Sequence, residues 1–411
     1  MGLAYSDLGE KRKAIEYYDQ ALAISREIGD RRSEGTTLGN LGNAYSDLGE
    51  TRKAIEYYDQ ALAISREIGD RRGEGITLGN LGSAYFGLGE TRKAIEYYEQ
   101  ALTISREIGD RRGEGTALGN LGSTYSDLGE TRKAIEYYDQ ALAISREIED
   151  RRAEGAHLGN LGNAYSGLGE TRKAIDYHEQ ALAISREIGN RRAEGAHLGN
   201  LGNAYSGLGE TRKAIDYHEQ ALTISREIED RRSEGAALGN LGNAYSDLGE
   251  TRKAIDYYEQ ALAIAREIED RMIEGENLCN LGKAYSYLNE TDKAIEHCMQ
   301  SLDIVRKIEY RKIEGEALCN LGKVYADLGE ASRAVDYCDQ ALGIFQKKEY
   351  RRGEGDALFN KSLALDKLGQ RQEAIDSAKS TLKIFEQIES PQAEKVRQKL
   401  EEWQGPHTQE N

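Results

Sequence analysis

The sequence predicts an all-α solenoid of stacked helical hairpins, and three observations predict it. The first is a forty-residue period: Leu38-Gly39-Asn40-Leu41-Gly42 recurs in register at Leu78, Leu118, Leu158, Leu198 and Leu238, continues with a cysteine in second place at Leu278 and Leu318, and fades at Leu358-Phe359-Asn360-Lys361-Ser362. A constant period of this size marks stacked supersecondary units. The second is composition: 38% of the 411 residues are hydrophobic and 31% charged, thin for one large core but suited to an array whose units touch only their neighbours. The third is proline, present only at Pro391 and Pro406, so nothing interrupts helix before the last residues.

The elements follow in order. The chain opens part-way through a first helix, because Gly2, Ala4 and Tyr5 align with Gly42, Ala44 and Tyr45. Half a hairpin is missing, as expected of a fragment or truncated gene product, or of an uncapped edge that self-associates or pairs with another molecule. In the next row Leu38, Leu41, Ala44, Tyr45 and Leu48 form one stripe of a first helix over 31–48, which Gly49 ends. Thr51 then caps a second helix over 51–68 that carries Ala54, Ile55, Tyr58, Ala61, Leu62 and Ile68 on one face, and Gly69-Asp70 opens the next row. Small residues mark the crossings: Gly42 faces Ala54, Ala61 meets the following row, and Gly42→Leu is expected to be disruptive. Gly35, Gly39 and Gly42 each cost the first helix about 1 kcal/mol relative to Ala, so packing must supply its order. At the far end Ser390-Pro391 starts a capping helix over 391–404, with Ala393, Val396, Leu400 and Trp403 on one face. Residues 405–411 read as a disordered tail, and 1–390 as a tandem array of about ten repeats.

The spacing Leu38, Leu41, Gly42, Tyr45, Ala54, Tyr58, Ala61, repeated through nearly the whole chain, resembles the signature of the tetratricopeptide repeat (TPR) family. The resemblance implies a right-handed superhelix and a non-catalytic scaffold or adaptor that binds a peptide or partner segment in its concave groove. The row is longer than the common thirty-four residues, and its junction from Ile68 to Arg72 resembles the extended repeats of Pins/LGN-type adaptors. Similar rows occur in bacterial and archaeal signalling proteins, which makes a regulatory or sensor arm of a larger signalling enzyme the second reading. The family's proline near the end of the second helix is absent; Arg66 stands there, which suits a longer helix.

Composition narrows the partners. A formal net charge of −17 argues against nucleic acid and anionic membrane, since phosphate binding needs a basic face. No apolar run is long enough to span a bilayer and Met1-Gly2-Leu3-Ala4-Tyr5 is not a signal sequence. Cys279, Cys298, Cys319 and Cys338 fall at repeat positions rather than in a CxxC pair and read as free thiols of a cytoplasmic protein. His157, His178, His197 and His218 read as packing residues without metal-ligand spacing. Arg31-Arg32, Arg71-Arg72 and Arg111-Arg112 read as solvated junction charges. No nucleophile–base pair or phosphate loop emerges, so neither catalysis nor a cofactor is expected.

The candidate site is the polar face of the first helix, opposite Leu38, Leu41 and Tyr45. Asn40, Asn80, Asn120, Asn160, Asn200, Asn240, Asn280, Asn320 and Asn360 form a line of amides there. A carboxamide donates to a peptide carbonyl and accepts from a peptide N–H, which suits an extended backbone; bridging between neighbouring first helices is the competing reading. The TPR array of O-GlcNAc transferase is similar in having an asparagine ladder. A second line reads Asn43, Ser83, Ser123, Asn163, Asn203, Asn243, Lys283, Lys323 and Leu363, so positive charge enters only near the C-terminal end. An acidic or C-terminal carboxylate ligand fits there, but a surface ion pair with Glu276 or Glu316 is the preferred reading. The chaperone-adaptor carboxylate clamp is not matched, because Gly39, Cys279 or Phe359 fills its lysine position. Phe86 and Phe359 are candidate apolar anchors. Rows at 31–270 are near-copies, so unique binding is expected where later rows differ.

Overall fold

The computed structural model describes Gly2, Tyr5 and residues 9–348, 350–388, 390 and 392–404. Among the described residues it holds twenty α-helices and no strand. The chain divides into two compact units, residues 1–204 and 205–411. The first unit contains α1 (Lys11–Ile28), α2 (Arg31–Asp47), α3 (Thr51–Glu67), α4 (Arg71–Gly87), α5 (Thr91–Glu107), α6 (Arg111–Asp127), α7 (Thr131–Glu147), α8 (Arg151–Gly167), α9 (Thr171–Glu187) and most of α10 (Arg191–Gly207). The second contains α11 (Thr211–Glu227), α12 (Arg231–Asp247), α13 (Thr251–Glu267), α14 (Arg271–Tyr287), α15 (Thr291–Lys307), α16 (Arg311–Asp327), α17 (Ala331–Lys347), α18 (Arg351–Lys367), α19 (Arg371–Gln387) and α20 (Ala393–Gln404).

Within each unit the even-numbered first helices pair with the odd-numbered second helices that follow them, giving the expected hairpins. Gly49 and Gly69 sit at φ 78° and 69°, the left-handed conformation in which a glycine ends a helix without Cβ strain. Asp70 accepts from the Gly73 N–H at 3.0 Å and so caps α4. The second helices start differently from the expectation: Glu50 occupies the N-cap of α3 without a side-chain cap bond, and Thr51 is the first helical residue.

Leu38, Leu41 and Ala54 are fully buried in the first unit, and Leu238, Leu241 and Ala254 repeat this in the second. Gly42 is covered by the Tyr58 ring, which a Cβ there would strike; a leucine at this position would force the hairpin open. Ile64 and Ser65, not Ile68, complete the buried stripe of α3, and Ile68 is exposed.

The arginine pairs are not simple solvated charges. The Glu34 carboxylate is buried and accepts from Arg26 Nε at 2.8 Å and Arg31 Nη1 at 2.5 Å, while Arg31 also ion-pairs with Glu67. Two carboxylates and two arginines thus tie α1, α2 and α3 together, and Glu74, Glu114 and Glu154 repeat the clamp. The hydrogen bond from Arg26, opposed by burial and helped by Arg31, holds the Glu34 carboxyl below its ordinary range. The second arginines Arg32, Arg72 and Arg112 are exposed, and Arg112 still reaches Asp150 at 2.9 Å.

At the first row Tyr5 stacks on Tyr17 at 5.2 Å, the same contact Tyr45 makes with Tyr57, so the register extends to Tyr5. Helix α20 buries Ala393, Val396, Leu400 and Trp403, and Trp403 Nε1 donates to Asp366 at 3.0 Å. Ala4, Pro391 and the tail 405–411 lie outside the described residues.

Candidate functional site

Consecutive first helices touch one another in each unit, α2 with α4, α4 with α6 and α6 with α8, then α12 with α14, α14 with α16 and α16 with α18. Among the described residues no two second helices approach comparably. The asparagines of the ladder therefore sit on the side where the rows are closest, and each is half-buried.

Four of them bridge to the preceding row. Asn80 Nδ2 donates to Asn43 Oδ1 at 3.2 Å and Asn200 Nδ2 to Asn163 Oδ1 at 3.0 Å. Asn320 reaches the Cys279 carbonyl at 3.5 Å and its Sγ at 3.4 Å, and Asn360 does the same to Cys319 at 3.4 and 3.2 Å. Asn40, Asn120, Asn160, Asn240 and Asn280 make no side-chain hydrogen bond among the described residues. The two readings of the ladder thus divide it: some amides join rows, and others keep all their hydrogen-bonding capacity for water or a ligand.

The second line is controlled from behind. Tyr58 passes under Gly42 and its hydroxyl donates to Asn43 Oδ1 at 2.8 Å; Tyr258 does the same to Asn243. With Ser at this position, Tyr98 and Tyr138 bond Ser83 and Ser123 instead. His178 and Cys298 replace this tyrosine, and where they do, among the described residues Asn163 accepts only from Asn200 and Lys283 stands without a backing hydroxyl. Asn203 is exposed. Sequence reading missed this link because it joins residues fifteen apart through a gap that only glycine leaves.

In rows 271–390 the face becomes charged. Lys283 is exposed and Lys323 half-buried, and neither pairs with a carboxylate among the described residues. This overturns the expected ion pair with Glu276 or Glu316: seven residues separate acid from lysine on one helix, about 10 Å along the axis. Lys323 Nζ instead lies 4.0 Å from the Tyr287 ring centroid, and Glu276 accepts from the Tyr310 hydroxyl at 2.6 Å. Glu316 and Asp356 have no bonding partner among the described residues. Burial pushes both carboxyls up; at Glu316 Lys312 and Lys283 oppose the shift and the acids Glu276 and Asp356 add to it, and at Asp356 Arg352 and Lys283 oppose it. Burial likewise pushes the Lys323 ammonium down, with Lys395 and Lys283 adding to it against Asp327. Phe359 is not an exposed anchor: it is buried against Ala393 and Val396 of α20. Phe86 is half-buried.

The remaining candidates are structural. His157, His178, His197 and His218 are buried, and their Nδ1 atoms lack partners. The four cysteines are free and buried. Among the described residues no group of three metal-ligating side chains forms, and no helix is long and apolar enough to cross a membrane. On the opposite side, successive second helices leave a cleft of ≈ 490 Å³ lined by Asp59, Arg66, Lys93 and Tyr97. Its walls are already engaged, with Tyr97 stacked on Tyr85 and Arg66 held by Glu74.

Comparison with known proteins agrees with this architecture. The tetratricopeptide repeat profile matches residues 1–67, 33–107, 73–147, 113–187, 152–227, 233–307 and 314–387. The fold is similar to that of a STAND protein with a tetratricopeptide repeat sensor from Pyrococcus horikoshii, at TM-score 0.62 and 18% identity over 90% of this chain and 54% of that one. It is similar to the apo quorum sensor NprR of B. thuringiensis, at TM-score 0.60 and 14% identity over 83% and 99% of the two chains. It is also similar to a Rap protein complexed with Competence and Sporulation Factor, at TM-score 0.53 and 18% identity over 87% and 98%. A search of curated proteins gave no match.

Proposed function

The chain belongs to the tetratricopeptide repeat family, and from that premise we propose that it is a protein-interaction scaffold or adaptor whose first-helix face holds a peptide or partner segment. The observation that carries this reading is the divided ladder. Asn120, Asn160, Asn240 and Asn280 are half-buried with no partner of their own among the described residues, while the bridging amides Asn80, Asn200, Asn320 and Asn360 tie their rows together. Amides held on a packed face recognise an extended backbone of varied sequence by donating to its carbonyls and accepting from its N–H groups. Asn40, Asn163, Asn203, Asn243, Lys283 and Lys323 flank that line and belong to the same site. The work is binding rather than catalysis, in a cytoplasmic setting that four free buried thiols suit.

The test replaces Asn120, Asn160, Asn240 and Asn280 together by Ala and measures binding to a random synthetic peptide array. Affinity should fall at least about tenfold with the circular dichroism spectrum unchanged. Equal binding by a folded variant would remove the face from the function. A second reading, a sensor arm of a larger signalling ATPase, is favoured by one observation: 90% of this chain aligns with 54% of the Pyrococcus STAND protein. A longer transcript joining this coding sequence to a nucleotide-binding domain would decide for it.

A further inference from the structure

Rows 271–390 carry a charge arrangement that the rows before them lack. At one position of the first helix stand Glu276, Glu316 and Asp356, where the earlier rows have Thr36, Ile76, Thr116, Ala156, Ala196 and Ala236. Four residues on come Asn280, Asn320 and Asn360, and three further Lys283 and Lys323. Spacings of four and seven keep acid, amide and lysine on one helix face. Because α14, α16 and α18 lie side by side, these residues form three parallel lines crossing the helices: an acidic edge, an amide floor and a basic edge. The edges stand about 10 Å apart along the helix axis, so no contact ion pair joins them, and Lys283 acts on Glu316 and Asp356 only at longer range.

We infer that this stretch of the first-helix face takes an extended, bipolar peptide, its basic side chains along the Glu276–Glu316–Asp356 edge and its acidic side chains along the Lys283–Lys323 edge. The inference rests on the proposed peptide-holding role of the same face. Half-burying charges without close partners costs free energy unless something supplies the opposite charge, and the half-buried Glu316 and Asp356 make no hydrogen bond or contact ion pair among the described residues. The upward push on the two carboxyls and the downward push on Lys323 are the same cost seen as proton affinity. Asn320 and Asn360 give their N–H groups to Cys279 and Cys319, which leaves their carbonyl oxygens to accept from a ligand backbone. An extended chain sends alternate side chains to opposite sides, so alternating basic and acidic residues match both edges at once. A nucleic acid or uniformly acidic chain meets the carboxylate edge, and a uniformly basic one meets the lysines.

The experiment uses the full chain and five synthetic blocked decapeptides followed by fluorescence anisotropy: alternating Lys–Glu, a Lys block joined to a Glu block, all-Lys, all-Glu and a neutral Ser–Asn sequence. The alternating peptide should bind at least about tenfold tighter than the block peptide of identical composition. Lys283→Glu with Lys323→Glu should erase that difference, and so should the milder Glu316→Gln with Asp356→Asn; circular dichroism verifies folding of each. Equal affinity for alternating and block peptides, or variants that keep the difference, would overturn the bipolar site while leaving a peptide-holding face intact. Failure of all five peptides to bind overturns both readings.

Discussion

His178 and His218 occupy the place of Tyr58 but cannot reach the first-helix face as the Tyr58 hydroxyl does when it bonds Asn43. Both rings are 1% exposed with Nδ1 unpartnered. Burial pushes each down to about 4, and the His197 ring, 5.9 Å from His178, adds to the shift there. In the unfolded chain a histidine titrates near 6.5, so between these values the unfolded chain binds protons that the folded one refuses. The stability is therefore complete above pH 6.5 and lost as pH falls toward 4, by roughly 3 kcal/mol per histidine. Urea midpoints should fall steeply from pH 7.5 to 5, and His178→Tyr with His218→Tyr should flatten that slope. Tyrosine fits, because Tyr138 already precedes His157 one row earlier and Tyr98 precedes Ala117. That these histidines pack was legible from their place in the stripe. Their unpartnered nitrogens were not, because what surrounds them comes from a neighbouring row and not from adjacent sequence.

Helix ends show where periodicity informs and where it stops. Glycine after the second helix was readable as a left-handed cap, yet Glu149, Glu229, Glu269 and Glu309 hold the same place at φ 54°–56°. A side chain in this conformation is strained by about 1–2 kcal/mol, partly offset because glycine loses more freedom on folding. Each Glu→Gly change, Glu149→Gly for instance, should raise stability by about 0.5–1 kcal/mol, measured as a denaturant midpoint at constant slope. An unchanged or lower midpoint would show that the turn carries no strain. The glutamate clamp was less legible. Arg71 and Glu74 are visibly three residues apart, but Arg66 and Glu107 reach the clamp only when helices α3, α4 and α5 stack. Glu74→Ala should cost about 2 kcal/mol in the same assay, less than a fully buried pair because both arginines stay half-exposed.

Across a whole unit, the main backbone contacts join helices next to each other in sequence or first helices of adjacent rows, and second helices add side-chain links between adjacent rows, such as Arg26 to Gln60, so stability is a sum over neighbours. This is why the fold was legible from the register alone, whereas the site was not: identical rows carry identical asparagines, and only the amides' partners distinguish bridging from free ones. The same locality predicts that a whole row can be removed. Deleting 111–150 joins Asp110 to Arg151, which restores an aspartate cap before α8, since Asp110 now caps Gly113 and Asp150 caps Ala153 in the same geometry. Arg106 then meets Glu154 as it now meets Glu114, and both are the same clamp. His157 lies against Gly119, and after the deletion Gly79 stands at the equivalent place with nothing within 4 Å to obstruct the ring. The shortened chain should keep its ellipticity per residue, with a denaturant slope reduced in proportion to the surface removed. Deleting 131–150 alone removes α7 but keeps α6, so two first helices follow one another and the stripe under Gly122 loses Tyr138. That variant should unfold at lower denaturant and over a broader range. If the whole-row deletion behaved like the half-row deletion, stability would depend on something longer-ranged than neighbouring rows.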